Sequence, residues 1–115
     1  MRLLLFLLLP LTALTGAASI SWDSDFQAAR ERAASEGKVL FCALNMDGEK
    51  ANDRLAKDVY TDKDVVALTA LTVNLLGSRF EHGEKCKRFD GLACTDHQQI
   101  EKSIRGVILD AEAGV

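Results

Sequence analysis

Residues 36–66, which decide the fold of this chain, read EGKVLFCALNMDGEKANDRLAKDVYTDKDVV. Residues 39–44, VLFCAL, form an unbroken apolar run, which is typical of a strand buried on both faces in a helix-covered parallel sheet. A helix is predicted after this strand, over about residues 49–59. Its apolar residues recur four apart, at Ala51, Leu55 and Val59. This strand–turn–helix unit favours an α/β fold.

The segment before this unit predicts one strand and one helix. Residues 20–22 suit a short first strand. Residues 25–36 are predicted to be helical, with Ser24 and Gln27 as a capping box and Gly37 as the residue that ends the helix. The apolar face of this helix is narrow and rich in alanine, which suits close packing on a sheet.

The segment after the unit continues the alternation of helices and strands. Asp62 is predicted to cap a short helix over residues 63–69, and residues 71–76, LTVNLL, to form a second core strand. A polar loop is expected over residues 77–94, followed by a last helix. We expect the capping box of that helix at Thr95 and Gln98, and its buried stripe at Ile100, Ile104, Val107 and Ile108. The order β-α-β-α-β-loop-α predicts a parallel sheet.

Residues 1–18 have the pattern of an export signal. Arg2 is a short basic region, residues 3–14 are apolar, and small residues precede the expected cleavage site at Ser19. The apolar stretch contains a proline and is shorter than the roughly 20 residues of a membrane-spanning helix, so cleavage is favoured over a retained anchor. We therefore expect a domain over residues 19–115 in the periplasm or outside the cell, with no membrane association after cleavage.

The charge of the chain disfavours two classes of partner. The chain carries 14 basic and 17 acidic residues, a net charge of −3, and loss of Arg2 with the signal leaves −4. No lysine or arginine cluster forms a stripe, so neither nucleic acid nor an anionic membrane surface is expected to bind. A protein partner of unknown identity is expected, and the oligomeric state is left open.

Together with Trp22 and the VNLL strand, residues 36–66 resemble the first strand–turn–helix unit of secreted thioredoxin-like domains. In that family the strand runs into a W-C-x-x-C motif. Here residues 45–52 read NMDGEKAN, and Glu49 and Asn52 stand where the two cysteines would be. The resemblance implies a three-layer α/β/α fold with parallel core strands and a degenerate active-site turn. Dithiol exchange at this turn is not expected, because neither residue is a thiol.

The same resemblance implies that the domain is incomplete at its C-terminal end. Thioredoxin-like domains usually carry a cis-proline followed by a closing β-hairpin, whereas the one proline of this chain lies in the predicted signal. The chain ends at residues 110–115, where the hairpin would begin. We therefore expect a thioredoxin-like domain over residues 19–115 without its closing hairpin, acting as a non-catalytic interaction or structural module.

Three cysteines are the remaining candidates for chemistry. Cys42 lies inside the apolar run and is expected to be a small buried hydrophobe. Cys86 and Cys94 flank a glycine-containing segment of an exported chain, and an oxidising compartment favours a disulfide between them. Closing so short a loop would contribute about 2–3 kcal/mol. As an alternative, the two thiols could form an atypical redox pair, since Cys94 lies near a helix N-terminus.

Two histidines extend that cysteine pair to a further alternative, a metal site. His82, Cys86, Cys94 and His97 give the spacing H-x3-C-x7-C-x2-H, with two nitrogen and two sulfur ligands suited to zinc or copper. This spacing does not match a common zinc-finger pattern. The sequence therefore leaves three interpretations of this segment open: a structural disulfide, a metal site and an atypical redox pair.

Overall fold

The computed structural model describes residue 16 and residues 19–46, 49–81, 83 and 92–114. Most of the predicted export signal, as well as His82 and Cys86, lie outside these ranges. The elements in chain order are α1 (Phe26–Glu36), β1 (Leu40–Asn45), α2 (Lys50–Arg54), a π-helical segment (Leu55–Val59), α3 (Lys63–Thr69), β2 (Val73–Ser78) and α4 (Cys94–Glu112). Helices alternate with strands, which confirms the α/β class.

The two strands pair in parallel, as predicted, with residues 40–45 of β1 opposite residues 73–78 of β2. On the other side of β2, the Asp23 N–H donates to the Asn74 carbonyl at 2.8 Å and forms a single parallel bridge. The first strand predicted over residues 20–22 is therefore one bridge rather than a strand. This arrangement makes β2 the central strand and leaves β1 at the side.

The two strands differ in burial. All six residues of β2 are buried, as predicted for a core strand. In β1 the continuous apolar run predicted burial on both faces, which is wrong, because Cys42 and Leu44 are exposed. β2 has a neighbour on each side, whereas β1 has one neighbour among the described residues. The difference in burial follows from this unequal pairing.

α1 ends where the sequence predicts but is capped by a different residue. Asp25, not Ser24, is the N-cap, and its carboxylate accepts a hydrogen bond from the Ala28 N–H at 2.6 Å. Gln27 takes no part in capping and instead donates to a carboxylate one turn along the helix. Gly37 ends the helix at φ 63°, a left-handed conformation that glycine adopts without a steric cost.

In the helical segment after β1, the side chains that face the sheet lie one residue further along the chain than predicted. The predicted apolar stripe at Ala51, Leu55 and Val59 is exposed. Ala56 and Tyr60 instead pack toward the sheet, where the Tyr60 ring lies 5.4 Å from that of Trp22. Packing of the aromatic rings therefore sets the orientation of this segment, and its aliphatic residues remain at the surface.

Two apolar clusters lie on opposite faces of the sheet, because successive side chains of a strand point to opposite sides. The first lies under α1 and α4 and consists of Ala29, Ala33, Val73, Leu75, Ile100 and Ile104. The second consists of Ala43, Leu76 and Cys94, bordered by Trp22, Phe41, Ala56 and Tyr60. Helices therefore pack against both faces of the sheet.

α4 follows the predicted pattern in part. It begins at Cys94, and the preceding Ala93 makes no side-chain capping bond, so the predicted Thr95–Gln98 capping box is wrong. Of the predicted stripe, Ile100 and Ile104 are buried, whereas Val107 and Ile108 are 50% and 47% exposed. Ile100 and Ile104 belong to the cluster under the sheet, whereas Val107 and Ile108 line an open groove beside β1.

Candidate functional site: the outer edge of β1

Glu49 and Asn52, which the sequence resemblance aligns with the two cysteines of thioredoxin-like domains, lie side by side. Glu49 is the N-cap of α2 with an extended backbone, and the Asn52 amide donates to the Glu49 carboxylate at 3.2 Å. Glu49 is exposed and Asn52 is half-buried. The pair joins the first residues of α2 and contains no thiol, so this turn cannot form or exchange a disulfide.

Cys94 lies in the core at the start of α4. Its side chain is 3% exposed and packs with Ala43 and Leu76. The predicted disulfide and metal site both require Cys86, and the metal site also requires His82; these two residues lie outside the described ranges. Within those ranges no group of three His, Cys, Asp or Glu side chains could hold a metal ion. The disulfide, zinc or copper binding and redox interpretations therefore stay predictions.

His97 joins α4 to the central strand. The residue is 1% exposed, and its Nδ1 lies 2.8 Å from the carbonyl oxygen of Leu76. Because a carbonyl oxygen only accepts, Nδ1 carries the proton and donates it to this bond. In the sequence His97 is only a candidate metal ligand, and the structure places it in the interior, where it fixes α4 on β2.

Cys42 occupies an exposed position on β1 rather than the expected buried one. Partial burial among apolar neighbours nevertheless raises the pKa of its thiol. A raised pKa keeps the thiol protonated at neutral pH, which makes it a poor nucleophile. The position therefore offers an accessible thiol on a strand at the side of the sheet, without the features of a reactive cysteine.

The backbone of β1 presents hydrogen-bonding groups outward. The Val73 N–H donates to the Val39 carbonyl at 3.0 Å, and in this parallel register the odd-numbered residues of β1 point their N–H and C=O groups toward β2. The even-numbered residues Leu40, Cys42 and Leu44 therefore point theirs away from β2. No further strand within the described ranges pairs with this outer edge.

An apolar groove borders this edge on the α3 face of the sheet. Its volume is about 560 Å³, and two of its side chains, Val39 and Leu68, are 70% and 65% exposed. We call it the α3 groove. Its apolar lining includes Val39, Phe41, Leu55, Val59, Val65 and Leu68. Leu55 and Val59, two residues of the predicted apolar stripe, thus line this groove.

A second, smaller apolar groove borders the same edge on the opposite face. It has a volume of about 290 Å³, and we call it the α4 groove. The side chains that line it are Phe26, Arg30, Leu40, Cys42, Ile104, Val107 and Ile108. Arg30 is the one charged side chain among the described residues that line either groove. The outward backbone groups of β1 thus lie between two apolar surfaces.

A charged cluster at the end of β2 is a separate candidate. Glu101 is 6% exposed, and its carboxylate accepts hydrogen bonds from Arg79 at 2.9 Å and Arg105 at 2.7 Å. Burial alone would raise the pKa of Glu101, but the bonds from Arg105 and Arg79 outweigh it and lower the pKa. Since the carboxylate already accepts from both arginines, this cluster anchors α4 to the chain after β2.

Sequence analysis missed both the Glu101 cluster and the edge of β1 that has no pairing strand among the described residues. The i, i+4 spacing of Glu101 and Arg105 was a usable signal for the Glu101 cluster.

Comparisons with protein-family models, with curated proteins and with solved structures found no match. In the described part of the chain, no helix is long and apolar enough to cross a membrane.

Proposed function

We propose that this chain is an exported, non-catalytic thioredoxin-like domain that acts as an interaction module, and that it binds an extended segment of a partner protein along the outer edge of β1. One observation carries the proposal. The outward N–H and C=O groups of Leu40, Cys42 and Leu44 lie between two apolar grooves. This is the combination that strand addition requires.

Strand addition uses both parts of this surface. An added strand takes its affinity from main-chain hydrogen bonds and its specificity from pockets for alternate side chains. Because successive side chains of the added strand point to opposite faces, alternate residues would enter the α3 groove and the α4 groove. Apolar or β-branched residues suit both grooves, since a single charged side chain, Arg30, borders them. The expected partner segment is therefore extended and apolar.

The composition of β1 also supports the proposal that a partner covers its outer edge. Proteins protect exposed sheet edges with lysine, proline, bulges or inward-pointing charges. β1 reads LFCALN and contains neither a charged residue nor a proline, and its register with β2 is continuous, without a bulge. An unprotected apolar edge suits a strand that is covered when the protein functions.

Three further observations support the scaffold and the absence of catalysis. The turn after β1 leads into a helix, as in thioredoxin-like domains, and Glu49 and Asn52 contact each other there without a thiol. The thiol of Cys42 has a raised pKa, which disfavours nucleophilic chemistry. The signal-like segment over residues 1–18 supports export.

The proposal is tested by titrating the protein, after export, with a capped peptide of alternating threonine and valine and following backbone amides by NMR. We expect shifts confined to β1 and the groove residues, with slower hydrogen exchange at Leu40, Cys42 and Leu44. A matched peptide with proline at its central position should bind more weakly, because proline cannot donate to the ladder.

Two matched variants locate the binding surface. Leu44→Lys places a charge at the outer edge and should abolish peptide binding. Leu71→Lys changes a residue that is 69% exposed and lines neither groove, so it should bind as the unmodified chain does. Equal binding of the valine and proline peptides, or shifts that avoid β1, would overturn the proposal.

A further inference from the structure

We infer that a cavity between α4 and the chain after β2 binds a small organic phosphate monoester. Its volume is about 470 Å³, within the range of small-molecule pockets. The residues that line it include Arg79, Glu101, Lys102, Arg105, Gly106 and Leu109. None of these six lines the grooves beside β1, so the inference does not rest on the proposed function.

The cavity carries an excess of positive charge. Arg79, Lys102 and Arg105 are cationic, and Glu101 is the one acidic residue among the described residues that line it. Three cations and one carboxylate give the lining a net charge of +2, in a chain whose net charge is −3. A phosphate monoester carries a charge of about −1.5 to −2 at pH 7 and has three acceptor oxygens. Its charge therefore matches the excess in both sign and size.

Glu101 holds two of the cations in place without neutralising both. Arg79 Nε and Arg105 Nε donate to the same oxygen, Oε1, at 2.9 Å and 2.7 Å, so the two guanidinium groups lie close together. The side chains of Arg79 and Arg105 are nevertheless 61% and 46% exposed. Each guanidinium has five N–H donors, and the bonds to Glu101 use only part of them. Because both arginines are already fixed, a ligand that accepts from them pays little side-chain entropy.

The sequence of α4 places cationic and apolar side chains in one row. Gln98, Lys102, Arg105 and Leu109 recur at intervals of three or four residues, a spacing that brings side chains to the same face of a helix. Lys102 is exposed, and Leu109 is 56% exposed. The row thus offers cations to the phosphate group and an apolar contact to the organic part of the ligand.

Gly106 leaves one wall of the cavity without a side chain. Glycine within a helix is less favourable than alanine. A Cβ atom placed at Gly106 meets nothing within 4 Å apart from its chain neighbours and the adjoining helix backbone, so no packing contact requires glycine here. A ligand that lies against this wall accounts for a residue that packing within the chain does not explain.

The test is a titration of the chain recovered after export with phenyl phosphate, followed by calorimetry and by NMR of the backbone amides. We expect binding with shifts at Lys102, Arg105 and Gly106. Binding should weaken as salt is added, because exposed ionic contacts are screened. Phenol lacks the phosphate and inorganic phosphate lacks the apolar part, so each should bind at least about tenfold more weakly.

Two variants with matched controls locate the site. Lys102→Gln removes the cation that does not bond to Glu101 and should weaken binding of phenyl phosphate about tenfold. Lys57→Gln changes an exposed residue outside this cavity and should leave binding unchanged. Gly106→Leu should abolish binding while raising the urea midpoint, since leucine is the better helix former. Ala111→Leu, on the same helix but outside the cavity, should bind as the unmodified chain does.

Three results would overturn the inference: no binding of phenyl phosphate, binding that survives both Lys102→Gln and Gly106→Leu, or inorganic phosphate bound as tightly as phenyl phosphate. Vesicles of phosphatidylcholine and phosphatidic acid present the same phosphate group on a surface, and they should neither retain the chain nor displace phenyl phosphate. Retention that depends on Lys102 would assign the cations to a membrane and overturn the small-molecule ligand. Since β1 takes no part, each of these results leaves the proposed function intact.

Discussion

Replacement of Asn74 by alanine should destabilise the domain more than its small volume suggests. Asn74 is 2% exposed and lies in the central strand. Its amide nitrogen donates to the carbonyl oxygens of Ser21 at 3.1 Å and Thr69 at 2.9 Å. Its side-chain oxygen accepts from the Thr72 hydroxyl. One side chain thus joins the N-terminal segment, the end of α3 and β2.

The magnitude follows from these bonds. A typical hydrogen bond contributes about 1 kcal/mol net, and removing one partner leaves the other to be desolvated. The Thr69 carbonyl keeps a bond from the Thr72 N–H at 3.3 Å, which offsets part of its loss. We therefore expect Asn74→Ala to lower the free energy of unfolding by about 2–3 kcal/mol. Thr72→Val removes the hydroxyl alone and should cost about 1 kcal/mol.

Urea unfolding measures both changes. For a domain of this size the slope is about 1 kcal/mol per molar urea, so Asn74→Ala should move the midpoint down by about 2–3 M, with little change in slope. The double variant should lose less than the two single variants together, because Asn74 and Thr72 share one bond. A loss below about 0.5 kcal/mol for Asn74→Ala, or full additivity with Thr72→Val, would refute this reasoning.

Two further predictions concern Glu101 and the turn that contains Glu49 and Asn52. The pKa of Glu101 is lowered in the folded chain, so its stabilisation is present above the unfolded pKa of about 4.3 and is lost as pH falls through the folded value. At pH values above that window, Glu101→Gln should be less stable than the unmodified chain by about 1–2 kcal/mol, given the exposure of both arginines. The urea midpoints of the two proteins should converge in acid, and parallel pH profiles would contradict this prediction. The Glu49→Cys/Asn52→Cys variant should form an intramolecular disulfide, because the two native side chains contact each other at 3.2 Å; mass spectrometry under oxidising conditions should show the loss of two hydrogens, and a pair that stays reduced would count against a thioredoxin-like turn.

Local signals in the sequence were sufficient for much of the fold. The Asp62 carboxylate accepts from the Asp64 and Val65 N–H groups and caps α3 as predicted. Gly37 ends α1 as predicted, and both core strands form within two residues of their expected positions. In each case the decisive interaction lies within a few residues of the signal, so the sequence contains the whole of the physical cause.

The errors in prediction arise where the cause is distant in the chain. Tyr60 and Ala56 turn the segment after β1 toward the aromatic ring of Trp22, and no local pattern records that contact. His97 is buried because α4 brings it to the Leu76 carbonyl, more than 20 residues away. Side-chain periodicity cannot show which face of such a helix packs against the sheet, since each choice gives a plausible apolar face.

The error at Cys42 is different, because it carries information about function. The run over residues 39–44 predicts burial on both faces, a property of strands with neighbours on each side. Among the residues that the structure describes, β1 has a neighbour on one side, yet it keeps the composition of a central strand, with neither charge nor proline. Such an edge is a hazard when it stays open. A strand that is covered by another polypeptide, as the proposed function requires, would reconcile this composition with the exposure of Cys42.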